Sequence, residues 1–199
     1  MATYAKGRER RAEILRVARE VFATRGFRSA SLAVIAERAG LSEPGLLHHF
    51  PSKDHLLTAV LEERDDSEIE RTRRQVEEEH RSRAEALIDL CRRNATRPEM
   101  VQLFTVLAAE SVDAAHPAHE WFVERYRMIR ALLVDGLEQE QREGRLAPDA
   151  NLEQLAIEIV AMFDGLQLQW LLDRERVDMV APFERFIARA LPGPPPPRR

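Results

Sequence analysis

At 199 residues, with 44% hydrophobic and 6% aromatic side chains, the chain can bury a sizeable core as one domain or two small ones. A formal net charge of −4 argues against a general nucleic-acid coat, and the single cysteine, Cys91, excludes an intrachain disulfide and a cysteine-based zinc site. No apolar run approaches the roughly 18–20 residues of a membrane span, and the charged start has no signal-peptide core. A cytoplasmic protein with no membrane partner is expected.

Helical periodicity runs through the whole sequence and no convincing period-2 strand emerges, so the fold expected is all-α. Ile14, Leu15, Ala18, Val21 and Phe22 mark one face of a first helix, which Gly26 should end. Ser31 is placed to cap a second helix with Ile35, Ala36 and Ala39 facing inward. Gly40 turns the chain, Leu41 plugs the core, and Ser42 caps a third helix with Pro44 in its first turn. Ser52 caps a fourth, beginning near Lys53 and carried into the core by Leu56, Leu57, Val60 and Leu61. The highly charged stretch Glu62–Arg83 reads as a solvated continuation of that helix, which also suits a lever between a head and a body. Further helices are expected at about 83–96, 99–114, 117–143, 151–173 and 176–191, with the Pro-rich tail 192–199 disordered.

Charge follows this division. Residues 1–55 carry ten Lys/Arg against six Asp/Glu, and the rest twenty against twenty-eight. A basic front and an acidic rear suit a protein that presents one end to phosphates.

Residues 31–53, SLAVIAERAGLSEPGLLHHFPSK, have the grammar of a helix-turn-helix, whose second helix enters the DNA major groove. The outward positions of that reading helix are Glu43, Pro44, Gly45, His48 and His49; the inward ones are Leu46, Leu47 and Phe50. Ser31 and Ser42, at helix N-termini, can offer hydroxyl and N–H groups to phosphates, and Lys53 adds a cation. Glu43 either accepts from cytosine N4 or simply favours the helix dipole. Arg8, Arg10 and Arg11 form either an arm to the DNA or a solvated tail.

The pattern over about residues 8–61 resembles the TetR-type transcriptional regulators. The resemblance implies an N-terminal three-helix DNA-binding domain, 1–55, and a larger helical ligand-binding and dimerisation domain, 56–191. It also implies base contacts near the start of the reading helix. Phosphate contacts follow from the segment matching Leu47, His48 and His49 and from Lys53, with Leu47 standing where the family usually has Tyr.

In the body, Met100, Phe104, Leu107, Trp121, Phe122, Tyr126, Phe163 and Gln167 are candidates to line an effector cavity. Gln167, Gln169 and Glu110 are the polar groups that could orient the guest. An apolar and aromatic lining points to a hydrophobic or planar small molecule. The last two helices carry more apolar surface than one small body needs, so Leu155, Ile159, Leu166, Trp170, Phe183 and Ile187 are expected at a homodimer interface. No cofactor or metal is implied: His116, His119 and Glu120 are interrupted by Pro117 and lack the spacing of a zinc-protease helix.

The expected function is a ligand-responsive regulator: a homodimeric repressor on a palindromic operator in double-stranded DNA, released by a small hydrophobic effector. It is not expected to be an enzyme. Two alternatives stay open, an activator of the same fold and a helical scaffold whose head docks a protein. The scaffold needs no positive face.

Overall fold

The computed structural model describes residues 2–79 and 81–191, leaving aside the side chains of residues 2–6, 64, 66 and 67. Among the described residues there are nine helices and no strand: α1 (Ala2–Ser29), α2 (Leu32–Arg38), α3 (Glu43–His49), α4 (Lys53–Glu77), α5 (Arg83–Ala95), α6 (Pro98–Glu110), α7 (His119–Arg142), α8 (Leu152–Leu172) and α9 (Val180–Ala190). The Pro-rich tail lies outside the described residues.

Two compact units emerge. The first holds the described residues up to 68 together with 99–122; the second holds 69–98 and the described residues from 123 onward. The division expected at residue 55 falls inside α4, and α6 groups with the N-terminal helices.

In the first unit, Ile14, Leu15, Ala18, Val21 and Phe22 of α1 are fully buried, as are Ile35 and Ala36 of α2. Leu46 of α3 and Leu56, Leu57, Val60 and Leu61 of α4 are fully buried too. α1 packs on α2, and α2 on α3. The turn between α2 and α3 follows from one residue. Gly40 has φ +67°, its N–H donates to Glu37 O (3.0 Å), and the N–H of Leu41 donates to Ala36 O (2.9 Å). These paired bonds close α2 and reverse the chain, and glycine adopts the left-handed backbone at no steric cost.

Gly26 does not end α1 as expected; it kinks it. With φ +69° and ψ 173° it occupies a region essentially reserved for glycine, and α1 resumes to Ser29. Arg8, Arg10 and Arg11 are part of α1 instead of a loose arm. Arg10 donates to Ala39 O (3.2 Å) at the end of α2, and Arg11 lies over the Phe50 ring (4.9 Å).

In the second unit, α5 packs on α9 and α9 on α8. α4 stops at Glu77, short of the expected extent, and a capping box starts α5: Ser82 Oγ accepts from Glu85 N–H (3.2 Å) while Ser82 N–H donates to Glu85 Oε2 (2.9 Å). Cys91 is buried and its thiol donates to Met179 O (3.6 Å); burial pushes the thiol pKa up to about 12. α8 is the most apolar helix among the described residues, and the core helix of a soluble protein has the same length and composition. Its 21 residues, mean hydropathy 1.4 over the best window, are long and apolar enough to cross a membrane by length and composition alone.

Candidate nucleic-acid interface

α3 is held by its two ends and one face. Ser42, extended at φ −76° and ψ 155°, accepts from Gly45 N–H (3.3 Å), a cap worth about 1 kcal/mol. Pro44 fits the first turn because its missing N–H would find no intrahelical partner there. Leu46 and the C-cap residue Phe50 are buried, which pins the helix against the first unit's core. The opposite face is open: Ser42, Glu43, Pro44 and His48 are exposed, Gly45 and His49 half-buried. The two imidazoles lie edge to face, 5.8 Å apart. Leu47, expected inward, is only half-buried.

Ser31 stands at the N-cap of α2 with an extended backbone, but its exposed side chain makes no capping bond. The expectation of a hydroxyl cap is therefore corrected, and the hydroxyl faces solvent.

Lys53 is anchored within the protein. Its ammonium donates to the carbonyls of Phe27 (2.8 Å), Ala30 (3.0 Å) and Arg28 (3.3 Å), and lies 4.4 Å from the centre of the Phe27 ring. Three donors meet three acceptors at the negative end of α1. The cation that sequence reading assigned to DNA closes the C-terminus of α1 in this structure.

The effector candidates fall into both units. In the first, Met100, Phe104 and Leu107 share one face of α6 at i, i+4 and i+7. Phe104 meets the rings of Trp121 (6.0 Å) and Phe122 (6.1 Å), which meet each other at 4.9 Å. Glu110 is engaged within the protein, its Oε2 accepting from Phe27 N–H (2.7 Å). In the second unit, Tyr126 donates to Asp164 Oδ2 (2.8 Å), with burial and that carboxylate raising the phenol's pKa. Asp164 was not among the expected site residues, and no spacing in the sequence singled it out as Tyr126's partner. Phe163 packs on Phe183 (5.1 Å), and Gln167 is buried with Nε2 lacking a hydrogen-bond partner.

The residues expected at a dimer interface are mostly covered within this chain. Ile159, Leu166, Trp170, Phe183 and Ile187 are buried in the protein's own second unit, and Leu155 is half-buried. The apolar residues that α8 leaves outside are Ile157 (54% exposed), Leu168 (47%) and Leu172 (78%). Exposed Ala161 and half-buried Gly165 share their stripe, and a Cβ built on Gly165 meets nothing within 4 Å.

Comparison with known proteins agrees with this architecture. Residues 14–60 match the family model of bacterial regulatory proteins of the tetR family, and residues 80–192 that of the C-terminal part of BetI-type transcriptional repressors. Over 54 residues the chain is 50% identical to the transcriptional activator FasR of Mycolicibacterium smegmatis, covering 27% of this chain and 25% of that protein. Over 205 residues it is 25% identical to the probable transcriptional regulator ArpR of Pseudomonas putida, covering 95% and 93%. Among solved structures, FadR of Bacillus subtilis in complex with stearoyl-CoA aligns with TM-score 0.78 at 18% identity, covering 92% of this chain and 98% of that one. A Saccharomonospora viridis regulator in complex with choline aligns with TM-score 0.74 at 23% identity, covering 91% and 94%. A capped, half-sunk α3 in the first unit and family matches on both sides of the α4–α5 turn lead to one conclusion: the chain belongs to the tetR family of bacterial transcriptional regulators.

Proposed function

We propose that this regulator is a cytoplasmic homodimeric repressor that occupies a palindromic operator and leaves it when a small hydrophobic molecule binds. The observation that carries the reading is the open face of α3, where Ser42, Glu43, Pro44 and His48 are exposed over buried Leu46 and Phe50. Ser42, Pro44, Gly45, His48 and His49 meet phosphates and base edges in the major groove, Ser31 adds a hydroxyl, and Glu43 reads a cytosine. Lys53 supports this face by fixing the end of α1 against the start of α4.

Seven residues of α3 span only about 10 Å, enough for a few base pairs. Two copies on two half-sites supply the specificity. The second copy is proposed to pack on α8 through Ile157, Leu168 and Leu172, with Ala161 and Gly165 letting the two helices approach closely. The candidate effector contacts form two separate groups, each taken by itself: Met100, Phe104, Leu107, Trp121 and Phe122 within the first unit, and Tyr126, Phe163 and Gln167 within the second.

The test is a footprint on the DNA beside the protein's own gene at two salt concentrations. A protected near-palindrome whose occupancy falls steeply with salt supports the reading. Protection of a lone half-site would overturn the dimer, and salt-insensitive protection the phosphate contacts. An activator is the second reading, favoured by the 50% identity to FasR over 54 residues. A footprint upstream of the promoter, with transcription rising on binding, would select it.

A further inference from the structure

Within the first unit, the kinked end of α1 is gripped from two sides. From α4, the Lys53 ammonium closes the carbonyls of Phe27, Arg28 and Ala30. From α6, Glu110 fills the space that a side chain at Gly26 would need, and its Oε2 accepts from Phe27 N–H at 2.7 Å. Gly26 and Glu110 are thus fitted to each other.

His116, on the turn after α6, completes the join. Its ring is 1% exposed and stands edge-on to Phe27, with centroids 5.1 Å apart. Nδ1 accepts from Ala118 N–H (3.2 Å) and lies 3.0 Å from Ser111 Oγ, so the neutral ring carries its proton on Nε2. Nε2 is buried without a hydrogen-bond partner, 3.7 Å from Glu110 Oε2. That is outside hydrogen-bond range and close enough for a strong charge interaction once the ring is protonated.

We propose that His116 is a proton-operated latch on the α1–α6 join: when its ring takes up a proton, the join loosens and operator affinity falls. The consequence follows from donors and acceptors. A protonated Nδ1 opposes the Ala118 N–H instead of accepting from it, leaving Ser111 Oγ as its acceptor. The imidazolium Nε2–H draws Glu110 Oε2, which Phe27 N–H now shares or loses. The charges acting on the ring are Glu110 on α6, Arg28 on α1, Asp54 on α4 and Asp113 on the turn, with Lys53 of α4 over the neighbouring Phe27 ring and His119 at the start of α7 beside Ser111. Asp113 is ion-paired with Arg28, and His119 Nδ1 lies 2.8 Å from Ser111 O. Burial keeps the imidazole below its ordinary value, partly opposed by Glu110, so the latch is closed at neutral pH and opens in acid.

The effect on DNA rests on the operator-binding role proposed above, and the test separates the two. In ¹⁵N-labelled full-length protein, the Phe27 amide resonance should titrate on acidification, with its midpoint below the ordinary imidazole value. It should be flat in His116→Asn, whose side-chain oxygen can still accept from Ala118 N–H. Affinity is then measured on a duplex that the protein selects from random-sequence DNA. Over the same titration the wild-type affinity should fall about fivefold relative to His116→Asn. The α3 face is identical in both proteins, so its own contribution cancels in the ratio. Should His116→Asn not fold, Glu110→Gln gives the same readout: its amide oxygen serves Phe27 N–H without drawing the imidazolium, so both profiles should flatten. A Phe27 amide that does not titrate, or an affinity ratio independent of pH, overturns the latch. Failure to select any duplex falls on the operator-binding role, and the amide titration still decides the latch.

Discussion

α3 and α8 each leave one face uncovered, and the two faces could hardly differ more. α3 is seven residues long, hidden by Leu46 and Phe50 and otherwise polar, with Ser42, Glu43 and His48 exposed. α8 is 21 residues long, apolar inside at Ile159 and Leu166 and apolar outside at Ile157, Leu168 and Leu172. A polar face on a short helix loses nothing in water and can exchange its solvent for phosphates and base edges. An apolar face on a long helix is costly in water and finds relief against another protein surface. The comparison teaches that, under the proposed function, affinity for the two partners is separable: the α8 face would set whether two copies meet, and the α3 face which DNA they hold.

The largest expected effect breaks the α8 side. Leu168→Glu with Leu172→Glu buries two carboxylates in the proposed interface, and a monomer should appear by sedimentation at micromolar protein. Operator affinity should fall at least about 100-fold with the loss of the second half-site, about 2.7 kcal/mol or more. A double variant that stays dimeric would move the interface off this face. Next comes Lys53→Ala, which strips three carbonyls of their shared donor. It should lower unfolding stability by about 2 kcal/mol in urea titrations while leaving the salt slope of DNA binding nearly unchanged. A slope smaller by about one unit would return Lys53 to the phosphates.

On the α3 side, Glu43→Ala should alter base preference at one position per half-site by about 1–2 kcal/mol. An unchanged selected consensus would leave Glu43 as a dipole partner only. The smallest effect concerns the α1–α6 join without DNA. Because folded His116 is held below its unfolded value, the unfolded chain binds more protons in that window. Its contribution to stability is therefore full above the ordinary imidazole value and fades as pH falls through the folded one. The urea midpoint should drop further in wild type than in His116→Asn between about pH 7 and about pH 5.

What could be read from the sequence was what short range decides. The Ser42 cap, Pro44 and Gly40 act within a few residues of themselves, so α2, α3 and the turn between them lie where the pattern puts them. α8 is the counter-case: a helix apolar around most of its circumference carries no phase, so Ile159 and Ile157 look alike until the fold buries one and exposes the other. Lys53 and Glu110 escaped for a related reason. Their partners are main-chain groups 23–26 and 83 residues away, and no residue type announces a backbone carbonyl or N–H waiting at a distance. The Ser82–Glu85 capping box, by contrast, was present as Ser-x-x-Glu in the sequence and marks the start of α5 sharply.

The thiol at position 91 has a further consequence. Buried, bonded to Met179 O and raised to about 12, it offers almost no thiolate at physiological pH. Peroxides and disulfides consequently have no handle on it while the second unit is closed. Its rate of alkylation becomes a clock for opening, ticking only when α5 and α9 part. A cysteine introduced on the exposed face of α3 would then carry a dye selectively, with the native residue left in place.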